Sequence, residues 1–377
     1  MTKRDALDLG EYQLRRPWEV ETPAFLVFED LVRHNIAEAL RLCGSPAKLV
    51  PHVKTHKSAE VLKLQMEAGM TSFKCATLRE AELLLEHDAT EVIVAYPLLH
   101  PRRIERFMAL KQRHPTRDVK LIASTTQQLE ALSEAALASN QEVGVYVDLD
   151  TGMHRTGVRP GEEAGRFYAQ LATTPGLRAV GVHVFDGQTF GTPDPAERKA
   201  QVAESLGHIR DLWDRAAAQG LDVEDTVVGG SWSFHLYLDE DKIRVSPGTW
   251  IYWDTNNARM PDLGFKIAAV VLGQVVDADD GAGTVTVDIG LKAITTEMPL
   301  AQRFKVIAHD GVEVAGHSEE HAVLRLNGAS LGVGDMVLAA PGHACTTSVK
   351  YPGALLVNGA GDIAGRISHQ ARDREPS

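Results

Sequence analysis

Three cysteines in 377 residues, Cys43, Cys75 and Cys345, are too few and too widely spaced for a disulfide framework or a Cys-x-x-Cys zinc knuckle, and they suit a reducing compartment. Positive charge is also scarce: 39 Lys and Arg stand against 51 Asp and Glu, a formal net charge of -12. That balance disfavours nonspecific binding to nucleic acid or to an anionic membrane, and still allows a local basic pocket for a phosphate. Residues 1–20 mix charges of both signs and contain no apolar run, so neither a signal peptide nor a membrane anchor is expected, and the protein is expected in the cytoplasm. There is no low-complexity tract, and the length exceeds what one small core needs. A large domain plus a smaller one, working on a small molecule, fits these bounds.

Short β-branched runs recur at 24–28, 48–53, 72–76, 91–95, 119–124, 143–148, 181–185 and 226–229. Between most of them apolar residues return at helical spacing, over 78–86, 102–113, 126–138, 162–173 and 196–218. The alternation predicts βα units around a parallel sheet, and eight strands favour a closed (β/α)8 TIM-type barrel over a doubly wound open sheet. After about residue 261 the pattern changes to strands with almost no helix between them, at 267–276, 283–289, 303–308, 322–326 and 336–340. Turn residues at 279–281 and 310–311 punctuate this part, as antiparallel hairpins require. The expected α/β architecture is an N-terminal extension (1–20), a barrel (21–262), a second, mainly antiparallel β domain (263–369) and a disordered tail (370–377).

In a parallel barrel the chemistry sits at the carboxyl ends of the strands. Lys54 is placed there by Pro51-His52-Val53-Lys54-Thr55-His56-Lys57, where an apolar run delivers an amine that, once desolvated, is a nucleophile for a Schiff base. Such chemistry points to pyridoxal 5'-phosphate, although a solvated surface cluster has the same composition. Arg155, after the sixth strand, could set a permanent positive charge against the cofactor's phenolic oxygen, or be a surface charge. Gly229, Gly230 and Ser231 let backbone N–H groups approach a phosphate, and Gly248, Thr249 and Tyr252 add a second turn and two hydroxyls. A tight turn and a half-buried aromatic cluster are the plain structural readings of those two segments. In the second domain His343 and Cys345 lie two residues apart, so on an extended segment both would face one borderline-soft divalent ion, zinc first. Two protein ligands leave positions for substrate and water, while a buried cysteine beside a hydrogen-bonded histidine is the alternative.

Together these segments resemble the D-threonine aldolase and D-serine dehydratase family, of the alanine racemase-like fold (pyridoxal phosphate fold type III). The resemblance runs from Thr22 to about Val357. Its most specific motifs are PHVKTHK around Lys54, FKCATLREAE from Phe73 to Glu82, DTGMHRTGV around Arg155, VHVFDG around Asp186, SPGTWIYWD ending at Asp254, VDIGLKA from Val287 to Ala293, SEEHAVL around His321, and PGHAC. It implies that Lys54 carries the cofactor as an imine, that Arg155 contacts the ring oxygen, and that Gly229 to Ser231 and Gly248 to Tyr252 cradle the phosphate. It also implies that His343 and Cys345 bind the metal (zinc, or else manganese or magnesium), that the substrate is a small D-amino acid, and that the protein is a homodimer.

Two departures bear on the reaction. Aldolase members tend to carry His-x-Asp at the metal site, where this chain has His343 and Cys345. They also place a histidine a few residues beyond a Tyr-x-Gly that here reads Phe185-Asp186-Gly187, and Gln188-Thr189-Phe190-Gly191 contains none. Both tilt the expectation toward β-elimination from a D-3-hydroxy-α-amino acid, with retro-aldol cleavage to glycine and an aldehyde close behind. An amino-acid racemase on the same scaffold, or a non-catalytic pyridoxal phosphate-binding protein, are the alternatives.

Overall fold

The computed structural model describes residues 6–373. The chain divides into two compact units, one of residues 40–54 and 62–248 with Asp373, the other of residues 6–39, 55–61 and 249–372.

The first unit is a parallel barrel. Seven strands follow in the order Ile243–Val245, Asp225–Val228, Leu177–Val184, Val143–Asp148, Asp118–Ala123, Glu91–Val94 and Ser72–Cys75, each parallel to the next. Residues 49–52 supply the eighth stave: Leu49 bridges Val245 and His52 bridges Lys74, both in parallel sense, so the sheet closes on itself. The helices Leu78–Glu86, Pro101–Arg113, Thr126–Ala138, Glu162–Thr173 and Pro195–Ala217 fill the connections. Local chemistry fixes several of their starts. The side chains of Thr77, Thr125 and Asp194 accept the backbone N–H three residues on, and Gln128 completes a capping box with Thr125.

Both faces of such strands are covered, so they read as apolar runs, and their inward side chains fill the barrel in layers. The floor is ionic. Arg244 forks onto Glu91 at 2.6 and 2.9 Å and reaches Asp225 at 2.5 Å, and Lys120 joins Glu91 at 2.5 Å. Above it Val50, Ile93, Ile122, Tyr146, Val180 and Val227 form an apolar plug. The layer nearest the carboxyl ends is polar again, with Lys74, Asp148, His183 and Ser246 all buried.

Three placements differ from the sequence expectation. Ala24–Phe28 is not a barrel stave: it pairs antiparallel with Ala269–Asp279 and parallel with Gly353–Val357 in the other unit. A run buried on both faces reads alike in the centre of either sheet, so the pattern carried no information on which sheet it joins. The barrel stave absent from the expected set is Ile243–Val245, whose central Arg244 interrupts the apolar run that would have marked it. Residues 48–53 are not a continuous strand either, since 3-10 turns at Pro46–Lys48 and Val53–Thr55 bracket the two bridges.

The second unit is built on a nine-stranded, mostly antiparallel sheet in which Ala269–Asp279 is central, flanked by Ala24–Phe28, Thr284–Val287 and Met336–Pro341. Strands Glu313–His317, Gly353–Val357 and Ile363–Ser368 extend it beyond the five expected. Asn35, buried on the helix Glu29–Cys43, donates to the carbonyls of Ile251 and Lys266 and accepts the Lys266 N–H at 2.8 Å, which pins the segment leading into the sheet. Residues 6–15 form a two-stranded hairpin. The first residues of the expected disordered tail are tied down: Ala371 is buried and its N–H donates to the Lys57 carbonyl, and Gln370 accepts the Ala59 N–H. The rest of that tail, 374–377, and residues 1–5 of the expected extension lie outside the described residues.

Candidate active site

Lys54 sits in the middle of the 3-10 turn Val53–Thr55, directly after the stave that closes the barrel, and its N–H donates to His52 Nδ1 at 3.2 Å. Its ammonium lies 5.4 Å from the centre of the Phe185 ring. The Arg155 guanidinium lies 5.0 Å from the same ring, so one aromatic side chain after the Leu177–Val184 strand gathers both expected site residues. Arg155 is presented by a tightly wound loop. Asp150 accepts the N–H groups of Gly152 and His154, Leu149 bridges Val158, and at Gly157 (φ 117°) a Cβ would come within 2.6 Å of the Asp150 nitrogen.

Asp186 organises the glycine loop. Fully buried, it accepts the Gly230 N–H at 3.0 Å and the Tyr237 hydroxyl at 2.8 Å; burial raises its pKa against these hydrogen bonds. Gly229 holds φ 85°, and a Cβ there would meet the Phe234 backbone at 3.1 Å. Ser231 Oγ accepts the Gly248 N–H at 3.1 Å, which ties the two expected phosphate segments together. The amides of Gly230 and Gly248 thus already serve the loop itself. Thr249 and Tyr252 fall in the second unit, where the Tyr252 hydroxyl is buried without a hydrogen-bond partner among the described residues. An orphan buried hydroxyl is what a phosphate oxygen would satisfy, so this residue fits the cofactor the sequence implies.

Beneath Lys54 lies a polar layer whose residues were not among the expected site residues. Lys74 donates to Ser246 Oγ and lies 3.4 Å from His183 Nε2, whose Nδ1 meets Asp148 at 2.7 Å; Thr156 donates to the second Asp148 oxygen at 2.8 Å. Burial, then the Lys54 charge, lower the Lys74 pKa to about 7. Burial and the Lys74 charge likewise lower that of His183. For Asp148, burial alone would raise the pKa, but the bonds from His183 and Thr156 and the Lys74 charge bring it below the usual carboxylate value. A lysine between two apolar residues, Phe73-Lys74-Cys75, was the available signal.

His343 and Cys345 meet the chain differently from the expected extended segment. His343 is extended, but the helix Ala344–Ser348 starts at the next residue, so the alternation argument does not apply to the pair. Asp254, buried, with burial raising its pKa, fixes that start by accepting the Ala344 N–H at 3.0 Å. His343 Nδ1 is in contact with the Glu297 carboxylate, the kind of second partner that metal-binding histidines carry. Cys345 Sγ lies 3.1 Å from the hydroxyl of Thr55, the residue after Lys54 in sequence, and 3.4 Å from that of Thr249. No three His, Cys, Asp or Glu side chains converge on one point among the described residues, so a cation here would rest on the two-ligand set. Glu297 is the residue that spacing alone missed.

Residues 29–256 match the alanine racemase N-terminal domain, and residues 268–357 match a putative serine dehydratase domain. A 3-hydroxy-D-aspartate aldolase of Paracoccus denitrificans (strain Pd 1222) is 27% identical over 340 residues, 86% of this chain and 85% of the relative. A D-threo-3-hydroxyaspartate dehydratase of Delftia sp. (strain HT23) is 24% identical over 362 residues, 88% of this chain and 93% of the relative. The crystal structure of a D-threonine aldolase from Filomicrobium marinum aligns with a TM-score of 0.87 at 26% identity, over 94% of this chain and 96% of that one. The chain is an enzyme, a pyridoxal phosphate-dependent lyase on the alanine racemase-like fold. It belongs to the D-threonine aldolase and D-serine dehydratase family. No helix among the described residues is long and apolar enough to cross a membrane.

Proposed function

We propose that this lyase acts on a D-3-hydroxy-α-amino acid with pyridoxal phosphate and a divalent metal, zinc first, and that it eliminates the β-hydroxyl to give a keto acid and ammonia. The observation that carries the choice of elimination is the His343 and Cys345 pair, with Glu297 orienting the imidazole. The relatives' names leave the choice open, since one is an aldolase and the other a dehydratase of a 3-hydroxyaspartate.

Pyridoxal phosphate, when bound, supplies an electron sink for the charge left at the substrate α-carbon. Lys54 is assigned to hold it and then, as a free amine, to take the α-proton at Nζ. Arg155 stays charged at any working pH and is assigned to the phenolic oxygen. The hydroxyls of Ser231, Thr249 and Tyr252 are assigned to the phosphate, with Tyr252 the clearest donor because it is buried and unsatisfied, while Gly229, Gly230 and Gly248, whose N–H groups already donate within the chain, are assigned to shaping the turns rather than to donating to it. A divalent ion on His343 and Cys345 would supply Lewis acidity to a departing hydroxyl.

The test is a panel of D- and L-3-hydroxy amino acids with and without added divalent metal, scoring keto acid, ammonia and aldehyde separately. Keto acid and ammonia from the D-enantiomers, lost with a chelator, are expected. Glycine plus aldehyde would move the assignment to retro-aldol cleavage, and interconversion of enantiomers with chelator harmless would make the protein a racemase.

A further inference from the structure

The assignment of Lys54 leaves a second amine of the same barrel without a task. Lys74 is buried, and through the main chain it pairs with His52 on the closing stave and with Ile93 on the other side. Its charged surroundings are divided. Lys54 and Arg155 oppose a proton on it, whereas Asp148 and Asp186 favour one. His183 and Ser246 both offer acceptors. Asp148 takes the Nδ1–H of His183, so Nε2 carries a lone pair toward Lys74. Ser246 Oγ lies 3.5 and 3.4 Å from the carbonyls of Val228 and Gly229, to which its own O–H can donate while it accepts from Lys74. A ring of acceptors suits an ammonium, and two cations in the same pocket resist it.

We propose that Lys74 is a positioning residue of the Lys54 pocket that takes up one proton from solvent as an anionic aldehyde binds, and that the ammonium so formed holds His183 and Ser246 by donated hydrogen bonds. The inference rests on the cofactor chemistry proposed for Lys54. Its physical basis is cancellation of charge. Pyridoxal phosphate brings a phosphate and a phenolic oxygen to a pocket that Lys54 and Arg155 make positive, and condensation consumes the Lys54 amine. The repulsion that works with burial to hold Lys74 near 7 is then removed, while Asp148 and Asp186 remain. The polar layer would lock when the site is filled, and cofactor affinity would become coupled to pH.

Calorimetric titration of pyridoxal phosphate into the cofactor-free protein, in buffers of different ionisation enthalpy, counts the protons exchanged. At pH 8 the wild type should take up to about one proton more per site than Lys74→Met, and at pH 6, where Lys74 is already protonated, the difference should vanish. Above pH 7 the wild-type Kd should rise relative to the variant by up to about tenfold per pH unit. Lys74→Arg, a fixed cation, should give the same proton count as Lys74→Met. Equal counts in wild type and Lys74→Met at pH 8 would overturn the proposal, as would Lys74→Arg matching the wild type. If Lys74→Met does not fold, Ser246→Ala, which keeps the amine but removes one acceptor, should lower the uptake, and a wild-type count would speak against the proposal. Failure of the wild type to bind pyridoxal phosphate at all would remove the proposed function instead.

Discussion

Replacing Lys74 with methionine has a consequence for stability that needs no cofactor. The folded-state pKa of about 7 lies well below the ordinary lysine value of 10.5. Between those two values the unfolded chain binds more protons at this group than the native one does, so stability rises with pH across the window. The native state carries the full penalty below pH 7 and loses it as pH approaches the unfolded value. From the two pKa values, the penalty is about 4 kcal/mol at pH 7 and about 2 kcal/mol at pH 9. Methionine removes the penalty but leaves His183 and Ser246 short of a donor, so the absolute stability difference mixes two effects of opposite sign. The pH dependence isolates the first. Urea unfolding of cofactor-free wild type and Lys74→Met at pH 7 and pH 9 should show the variant's relative stability falling by about 2 kcal/mol over that interval, because all other titrating groups are common to both proteins. A difference that stays constant between the two pH values would mean that Lys74 titrates as an ordinary surface lysine, and the polar layer described above would be wrong.

The barrel floor and the metal pair give further tests. Glu91, whose pKa the Arg244 fork and Lys120 bring to about 2 despite burial, contributes stability that is present above pH 4.5 and lost as pH falls toward 2. Glu91→Gln should therefore cost about 3 kcal/mol at pH 7 and about half that at pH 3 in denaturant unfolding. Glu297→Gln weakens the hold on the His343 ring and should lower metal affinity by about 10- to 100-fold, measured by competition with a chromogenic chelator. Cys345→Ala should lower metal affinity and lyase activity while pyridoxal phosphate stays bound by absorbance; a variant as active as the wild type after chelator treatment would rule out the metal role.

The barrel was legible because covered parallel strands are apolar and their helices are not. Thr126–Ala138 and Glu162–Thr173 end where the periodicity ends. Which sheet a doubly buried strand joins was not legible: Ala24–Phe28 has no local feature that distinguishes a barrel stave from the centre of a β domain, and Ile243–Val245 was hidden by Arg244, which the barrel floor needs. Lys54 and Arg155 could be picked out because reactive types after strand ends are conspicuous, and the structure brings both to Phe185. Lys74, His183, Asp148 and Ser246 were harder, because their partnership runs across four staves and exists only once the barrel has closed. Glu297 lies 46 residues before the histidine it contacts, a relation no short motif contains.

The lysine proposed to bind the cofactor, Lys54, can be identified directly. The purified protein should be incubated with pyridoxal phosphate, reduced with borohydride, digested and mapped by mass spectrometry. A single reduced pyridoxyl adduct on Lys54, absent from Lys54→Ala, is the predicted result. An adduct on Lys57 or Lys74 in the wild type, an adduct that persists in Lys54→Ala, or no adduct at all would contradict the account.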